Sequence, residues 1–363
     1  MEKIKSVYIH IPFCNSICSY CDFCKVVYNK DWVEPYLKRL EEEIDNSYMG
    51  EEIETLYIGG GTPSSLTLDE LKELFKILAK FHKKETTEFT FECNLNDIEK
   101  EKFKFLYEQG VNRLSIGIES FNEEKLEFMK RESNLKDAKK KIKMLRELGF
   151  KNINIDLMYA IPNETVKVLK QDLKNFMKLK PEHISTYSLI IEKNTLVGLN
   201  KVKPIEEEHD FKMYDTICKK LKKKGYLHYE VSNFAKKGFE SIHNLTYWNN
   251  EEYYGFGVGA SGYVAAIRYE NTKSLTEYLK GNFVSSKSLM SKVDNMENEL
   301  ILGFRKLEGI NLEHFFDKFE ENLQNIFPIK PLIKSGDLIY KDGYVYINPK
   351  KLYVMNEILL KLI

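Results

Sequence analysis

Cys14, Cys18 and Cys21 stand at C-x3-C-x2-C spacing on one short segment, directly after a strand-like run, Ser6–Phe13. Three thiolates so placed suit three irons of a [4Fe–4S] cluster and leave the fourth iron without a protein ligand. A pure electron carrier closes its cluster with four cysteines, whereas an open iron takes a small molecule. Tyr20, just before the third cysteine, offers a flat face to a purine on that molecule. A zinc site wants a second ligand pair at C-x2-C or H-x3-H spacing, and Cys93 and Cys218 are single and distant. Cys24 extends the series to a C-x2-C-x2-C run. A ferredoxin loop would then continue to Cys-Pro, but Tyr28 and Asn29 stand there, so Cys24 is read as a bystander thiol.

The cysteine pattern resembles the radical S-adenosylmethionine (SAM) superfamily, in which SAM chelates the open iron. That resemblance gives other motifs a role. Gly59-Gly60-Gly61-Thr62-Pro63-Ser64 follows the second expected strand. Consecutive glycines permit positive φ and close backbone approach. Their N–H and C=O groups are expected to meet the ends of SAM's methionine moiety, with Gly60, Gly61 and Thr62 as contacts. Glu92, Glu119 and Asp156 suit ribose hydroxyls and an ammonium, and Arg131 suits a carboxylate, to which it bonds bidentately. An ordinary salt bridge is the alternative for each. Asp156 ends an apolar run, where a charge is expensive unless used. Tyr8 and Tyr20 complete the expected SAM set.

These residues need a scaffold. Short apolar runs at Ser6–Ile11, Thr55–Ile58, Phe89–Glu92, Arg113–Gly117, Ile153–Leu157 and His183–Tyr187 read as strands. Helix-like stretches lie near 31–48, 67–83, 97–109, 123–148 and 165–179. Thr67 with Glu70, Asn96, and Asn122 mark helix starts, and Gly110 and Gly149 fit C-terminal caps. Six β–α units predict an α/β fold: a partial (β/α)6 TIM-type barrel with the chemistry at its strand C-terminal ends. The barrel is expected over 1–230 and a connecting region over 231–290. A C-terminal helical, winged-helix-like α+β domain is expected over 291–363. There, Asp294–Leu307 and Leu312–Lys318 read as helices, a hairpin turns at Asp342-Gly343, and Leu352–Ile363 reads as a last helix.

Composition narrows the function. The 363 residues hold 55 basic and 55 acidic side chains, so no basic field argues for nucleic acid. No apolar run reaches the roughly 20 residues of a membrane span. The N-terminus enters a strand directly and does not read as a signal peptide. Four cysteines on one loop suit metal ligation in a reducing cytoplasm.

His243-Asn244-Leu245-Thr246-Tyr247-Trp248 is a second notable block. Histidine ligates haem iron and aromatics pack porphyrins, while the alternative is a core histidine among buried rings. Together with Tyr8–Cys14, the glycine block, Ser115–Phe121, Asp156–Pro162 and Tyr229–Phe234, this block resembles the oxygen-independent coproporphyrinogen III oxidase (HemN-like) family. The similarity runs over nearly the whole chain and is closest to a haem-chaperone branch. Thirteen residues precede Cys14 where the oxidase has a long extension, and Phe23 stands where the oxidase has a further cysteine. The family usually has glutamine at Glu119 and histidine at Ser261, which leaves His243 as the haem candidate.

The resemblance implies a [4Fe–4S] cluster, SAM, haem as cargo, a haem-accepting protein, an electron donor and a SAM- or cluster-linked homodimer. Oxidative decarboxylation of coproporphyrinogen III, another radical tetrapyrrole reaction such as haem cleavage, and a radical SAM methyltransferase are the alternatives.

Overall fold

The structure is a computed structural model that describes residues 3–363. Six strands come first: β1 (Ser6–Ile11), β2 (Glu52–Gly60), β3 (His82–Asn94), β4 (Arg113–Glu119), β5 (Asn152–Tyr159) and β6 (His183–Ser188). They pair in parallel and in sequence order. Outside them run α1 (Lys30–Ser47), α2 (Leu68–Leu78), α3 (Lys100–Glu108), α4 (Glu123–Met129), α5 (Leu135–Leu148) and α6 (Val166–Met177). This is the expected partial barrel. Alternation along each strand sends Ile9, Leu56, Ile58, Phe91, Leu114, Ile116, Ile155 and Ile184, all fully buried, under the helices. The intervening residues, Tyr8, Tyr57, Glu92, Asn154, Asp156 and His183, meet one another inside.

Helix ends follow local chemistry. Thr67 and Glu70 form a capping box, and Asn122 caps α4. The stretch 123–148, expected as one helix, breaks in two. Lys130 takes a left-handed conformation (φ 55°) and Asn134 caps a new helix. Asn96 starts no helix; it lies in a 3₁₀ turn, and Glu99 precedes α3.

The irregular stretch 190–290 contributes to the same sheet. β7 (Leu227–Glu230) and β8 (Asn233–Ala235) add antiparallel strands beyond β6, and β9 (Tyr254–Phe256) pairs in parallel with the outer edge of β1. The nine-stranded sheet runs β9-β1-β2-β3-β4-β5-β6-β8-β7 and does not close. Strands of three or four residues are too short to show a period. Ser261–Val264, Ile267–Asn271 and Val284–Leu289 form a separate antiparallel sheet.

At the C-terminus, helices Lys292–Gly303 and Leu312–Phe319 pack with a small sheet of Ile310–Asn311, Tyr344–Ile347 and Leu338–Lys341. Its hairpin turns at Asp342-Gly343, both at positive φ, as a type I′ turn requires. The expected final helix is a 3₁₀ turn, Pro349–Val354, running into Met355–Leu359, with Val354 off helical geometry at the junction. No helix among the described residues is long and apolar enough to cross a membrane.

Candidate cluster and cofactor site

The cysteine loop leaves the C-terminal end of β1. Phe13–Cys14 pairs with Val26–Val27, and Tyr28 N–H donates to the Cys14 carbonyl (2.8 Å), closing the loop at its base. Its middle is held by the end of α4: Ser19 N–H donates to Met129 O (3.1 Å) and Ser19 Oγ to Phe128 O (2.7 Å). Thr62 Oγ1 donates to Cys14 Sγ (3.4 Å) and Arg131 Nη1 to Cys18 Sγ (3.2 Å). Burial pushes the Cys14 thiol up to about 11 and raises that of Cys21. Loading the site with metal must therefore expel protons.

Among the described residues no three His, Cys, Asp or Glu side chains converge on a point that would hold one metal ion. A [4Fe–4S] cluster asks for three thiolates, each on its own iron, with hydrogen bonds to the sulfurs. A pinned loop whose Cys14 and Cys18 sulfurs already accept hydrogen bonds fits that demand. Cys24 faces elsewhere: its thiol donates to Lys273 O (3.4 Å) and packs where a Cβ on Gly259 would come within 2.4 Å of its own Cβ.

The glycine block ends β2 beside this loop. Gly60 has φ +115°, and a Cβ there would meet the His10 ring at 2.7 Å; one on Gly61 would meet the Pro12 backbone at 2.7 Å and Cys14 Sγ at 3.0 Å. The glycines are thus required by protein neighbours. The expected N–H contacts to a ligand need correcting. Gly60 N–H donates to Glu92 Oε2 (3.1 Å), Gly61 N–H to Ile11 O (2.9 Å) and Thr62 N–H to Phe13 O (2.8 Å). With these three donors engaged, a ligand meeting the block must do so through other groups.

Glu92, Glu119 and Asp156 crowd the same mouth. Glu92 accepts from Tyr57 OH (2.6 Å), and Asp156 from Asn154 Nδ2 (2.8 Å). Glu119 sits at φ 66° on a bulge in β4, 3.7 Å from Arg131 Nη1. Burial raises all three acids, and the fields of Glu119 and Glu92 help push Asp156 up to about 7. Tyr20 lies beside Glu119 and Arg131. Tyr8 lies deeper, its OH 3.1 Å from His10 Nδ1. The three acids outnumber the guanidinium groups near them, Arg131 beside Glu119 and Arg113 in the field of Glu92, so the mouth favours a cationic ligand.

His243 lies below this mouth, its ring 6.5 Å from that of Tyr8 and 5.0 Å from that of Tyr57. It begins α7 (Ile242–Trp248), which plugs the other end of the barrel. The ring is 1% exposed, with Nδ1 2.7 Å from Thr55 Oγ1, Nε2 2.7 Å from Tyr247 OH, and its face stacked on Tyr57. Burial, with Arg113 nearby, lowers its pKa to about 3. Both ring nitrogens are engaged, so an iron would have to displace one of these partners.

Sequence reasoning passed over His10. Its Nε2 lies 2.7 Å from the Cys24 carbonyl, its ring faces Gly60 and its Nδ1 meets Tyr8, so it ties the cysteine loop to the glycine block. Its place two residues from Tyr8, on the same face of β1, was the available signal.

Residues 8–176 match the Radical SAM superfamily and residues 290–353 the HemN C-terminal domain. The chain is 40% identical over 353 residues to the heme chaperone HemW of Lactococcus lactis, covering 94% of this chain and 92% of that protein. It is 38% identical to the heme chaperone HemW of Bacillus subtilis, covering 98% of each. The fold superimposes on coproporphyrinogen III oxidase HemN from Escherichia coli with a TM-score of 0.86 at 22% identity, over 99% of this chain and 90% of that one.

Proposed function

The chain belongs to the radical SAM superfamily and, within it, to the family of the heme chaperone HemW, and from that premise we propose that it binds a [4Fe–4S] cluster, SAM and haem and delivers haem to acceptor proteins. The observation that carries the reading is similarity to HemW proteins along nearly the whole chain.

Cys14, Cys18 and Cys21 hold the cluster and SAM takes the open iron. A cluster so bound can pass one electron to SAM, the chemistry shared across the superfamily. The chain's own residues bind and orient. Carbonyls of Gly60 and Gly61, with Thr62 and Glu92 beside them, receive the ammonium end. Arg131 receives the methionine carboxylate, Glu119 and Asp156 take the ribose hydroxyls, and Tyr20 lies against the purine. Tyr8 backs the site from inside the barrel. Occupancy of cluster and SAM controls haem transfer or the pairing of two chains, and an external donor supplies the electron. Four cysteines on one loop suit a reducing cytoplasm.

Haem is the cargo, and His243 is the candidate ligand. For His243 to serve, the barrel floor must open, because Thr55 and Tyr247 now occupy both ring nitrogens.

The test uses one anaerobically reconstituted sample. Haem titration should give a Soret band at stoichiometric haem. Coproporphyrinogen III with SAM and reductant should remain unconverted. Steady protoporphyrinogen formation would overturn the chaperone reading in favour of the oxidase, and methyl transfer from SAM would favour a methyltransferase.

A further inference from the structure

Arg131 is the one cationic side chain whose hydrogen bond to a cysteine sulfur is seen among the described residues, and it is held there with unusual thoroughness. Nη1 donates to Cys18 Sγ at 3.2 Å, while Nη2 donates to Gly117 O at 2.7 Å and to Asn94 Oδ1 at 2.8 Å. Its side chain is only 11% exposed. The residue lies in the break between α4 and α5, created by left-handed Lys130, and its own N–H caps Leu126 O. Gly117 completes the seat. A Cβ at 117 would come within 2.8 Å of Nη2, although the backbone there needs no positive φ. Glu119 faces the same guanidinium at 3.7 Å, the ion-pair partner of Arg131.

We infer that Arg131 is a positioning residue that sets the reduction potential of the cluster through Cys18, and that Glu119 opposes it. The inference rests on the proposed role of Cys18 as a cluster ligand. One-electron reduction adds a negative charge to the cluster and its thiolates. A guanidinium donating to one of those sulfurs stabilises the added charge, and in a buried site the effect is strong. The Glu119 carboxylate, beside the same guanidinium, cancels part of that field. Arg131 thereby makes the cluster easier to reduce, and Glu119 makes it harder.

The test is a potentiometric titration of reconstituted full-length protein, without SAM, using dithionite as the reductant and EPR of the reduced cluster as the signal. Arg131→Met should shift the midpoint to more negative potential. Gly117→Ala keeps every charge but pushes the guanidinium off its seat, and should shift the midpoint in the same direction by less. Glu119→Gln should shift it to more positive potential. Wild-type potentials in Arg131→Met and Gly117→Ala, at full iron content, would overturn the inference while leaving the cluster reading intact. Should Arg131→Met fail to hold iron, Gly117→Ala decides alone. Absence of a four-iron cluster in the wild type would overturn the cluster reading and this inference with it.

Discussion

The mouth and the floor of the barrel are both lined by polar side chains, but they balance their charges differently. At the floor, partners match. His243 has Thr55 and Tyr247, His183 has Asn154 and Tyr229 at 2.7 Å each, and Glu88 accepts from the N–H groups of Ile242 and His243. Arg113 Nε and Trp248 Nε1 are left without partners. Burial keeps both histidines neutral. At the mouth, Glu92, Glu119 and Asp156 crowd together, burial raises the pKa of each, and Arg131 is the ion-pair partner of Glu119. A closed polar network stabilises a fold; an unbalanced one awaits a ligand.

The sharpest way to break this contrast is at the cysteines. Replacing Cys14, Cys18 or Cys21 by Ala should abolish the [4Fe–4S] absorbance after reconstitution, since no other thiolate faces the site. Cys24→Ala should retain it. Loss of the chromophore in Cys24→Ala together with its survival in Cys14→Ala would move the site along the loop.

The floor predicts a different phenotype. His243→Ala removes two buried hydrogen bonds and a stacked ring, at a cost of about 3 kcal/mol, seen as a lower urea midpoint. Iron content and SAM affinity should stay at wild-type values, and haem affinity should fall. An unchanged midpoint would mean the floor is not a closed network.

Acid should set the buried histidines apart from Asp156 next. His243 and His10 are held near 3 and 4 by burial, below the usual 6.5. The unfolded chain takes up their protons first, so as pH falls below about 6.5 stability drops by up to ~1.4 kcal/mol per unit for each histidine. Asp156 acts the other way: its raised pKa keeps a proton on the folded chain, so its contribution is lost as pH rises from about 4 to 7. In metal-free protein, Asp156→Asn should raise the midpoint at pH 8 and leave it unchanged at pH 4. The same change at both pH values would show that Asp156 is already compensated.

A smaller effect is expected from Gly60→Val, which should raise the SAM dissociation constant at least tenfold, about 1.4 kcal/mol. The side chain would strike His10 and so disturb both loops that His10 joins. Wild-type affinity in a folded variant would remove the glycine block from the SAM site.

The parts of the fold legible in the sequence were those encoded locally. Strand-length apolar runs, cap residues such as Thr67 and Asn122, and the spacing of Cys14, Cys18 and Cys21 all act within a few residues. Other features depend on distant partners. The donors of Gly60 to Thr62 are taken by Glu92, Ile11 and Phe13, which no reading of the glycines alone reveals. His243 beside two aromatics looks the same whether it waits for iron or closes a core; Thr55, 188 residues away, distinguishes the two. The break at Lys130 was hidden because helical periodicity continues on both sides, yet it seats Arg131 against Cys18.

The pairing of β9 with β1 also dictates an order of events during synthesis. The strand that launches the cysteine loop is made well before its partner, and its outer edge stays bare until Tyr254–Phe256 emerges from the ribosome. A contact spanning nearly 250 residues forms late and slowly. Until it does, β1 is an exposed edge open to pairing with other chains. Iron delivered to the nascent chain before that pairing would meet a half-built wall.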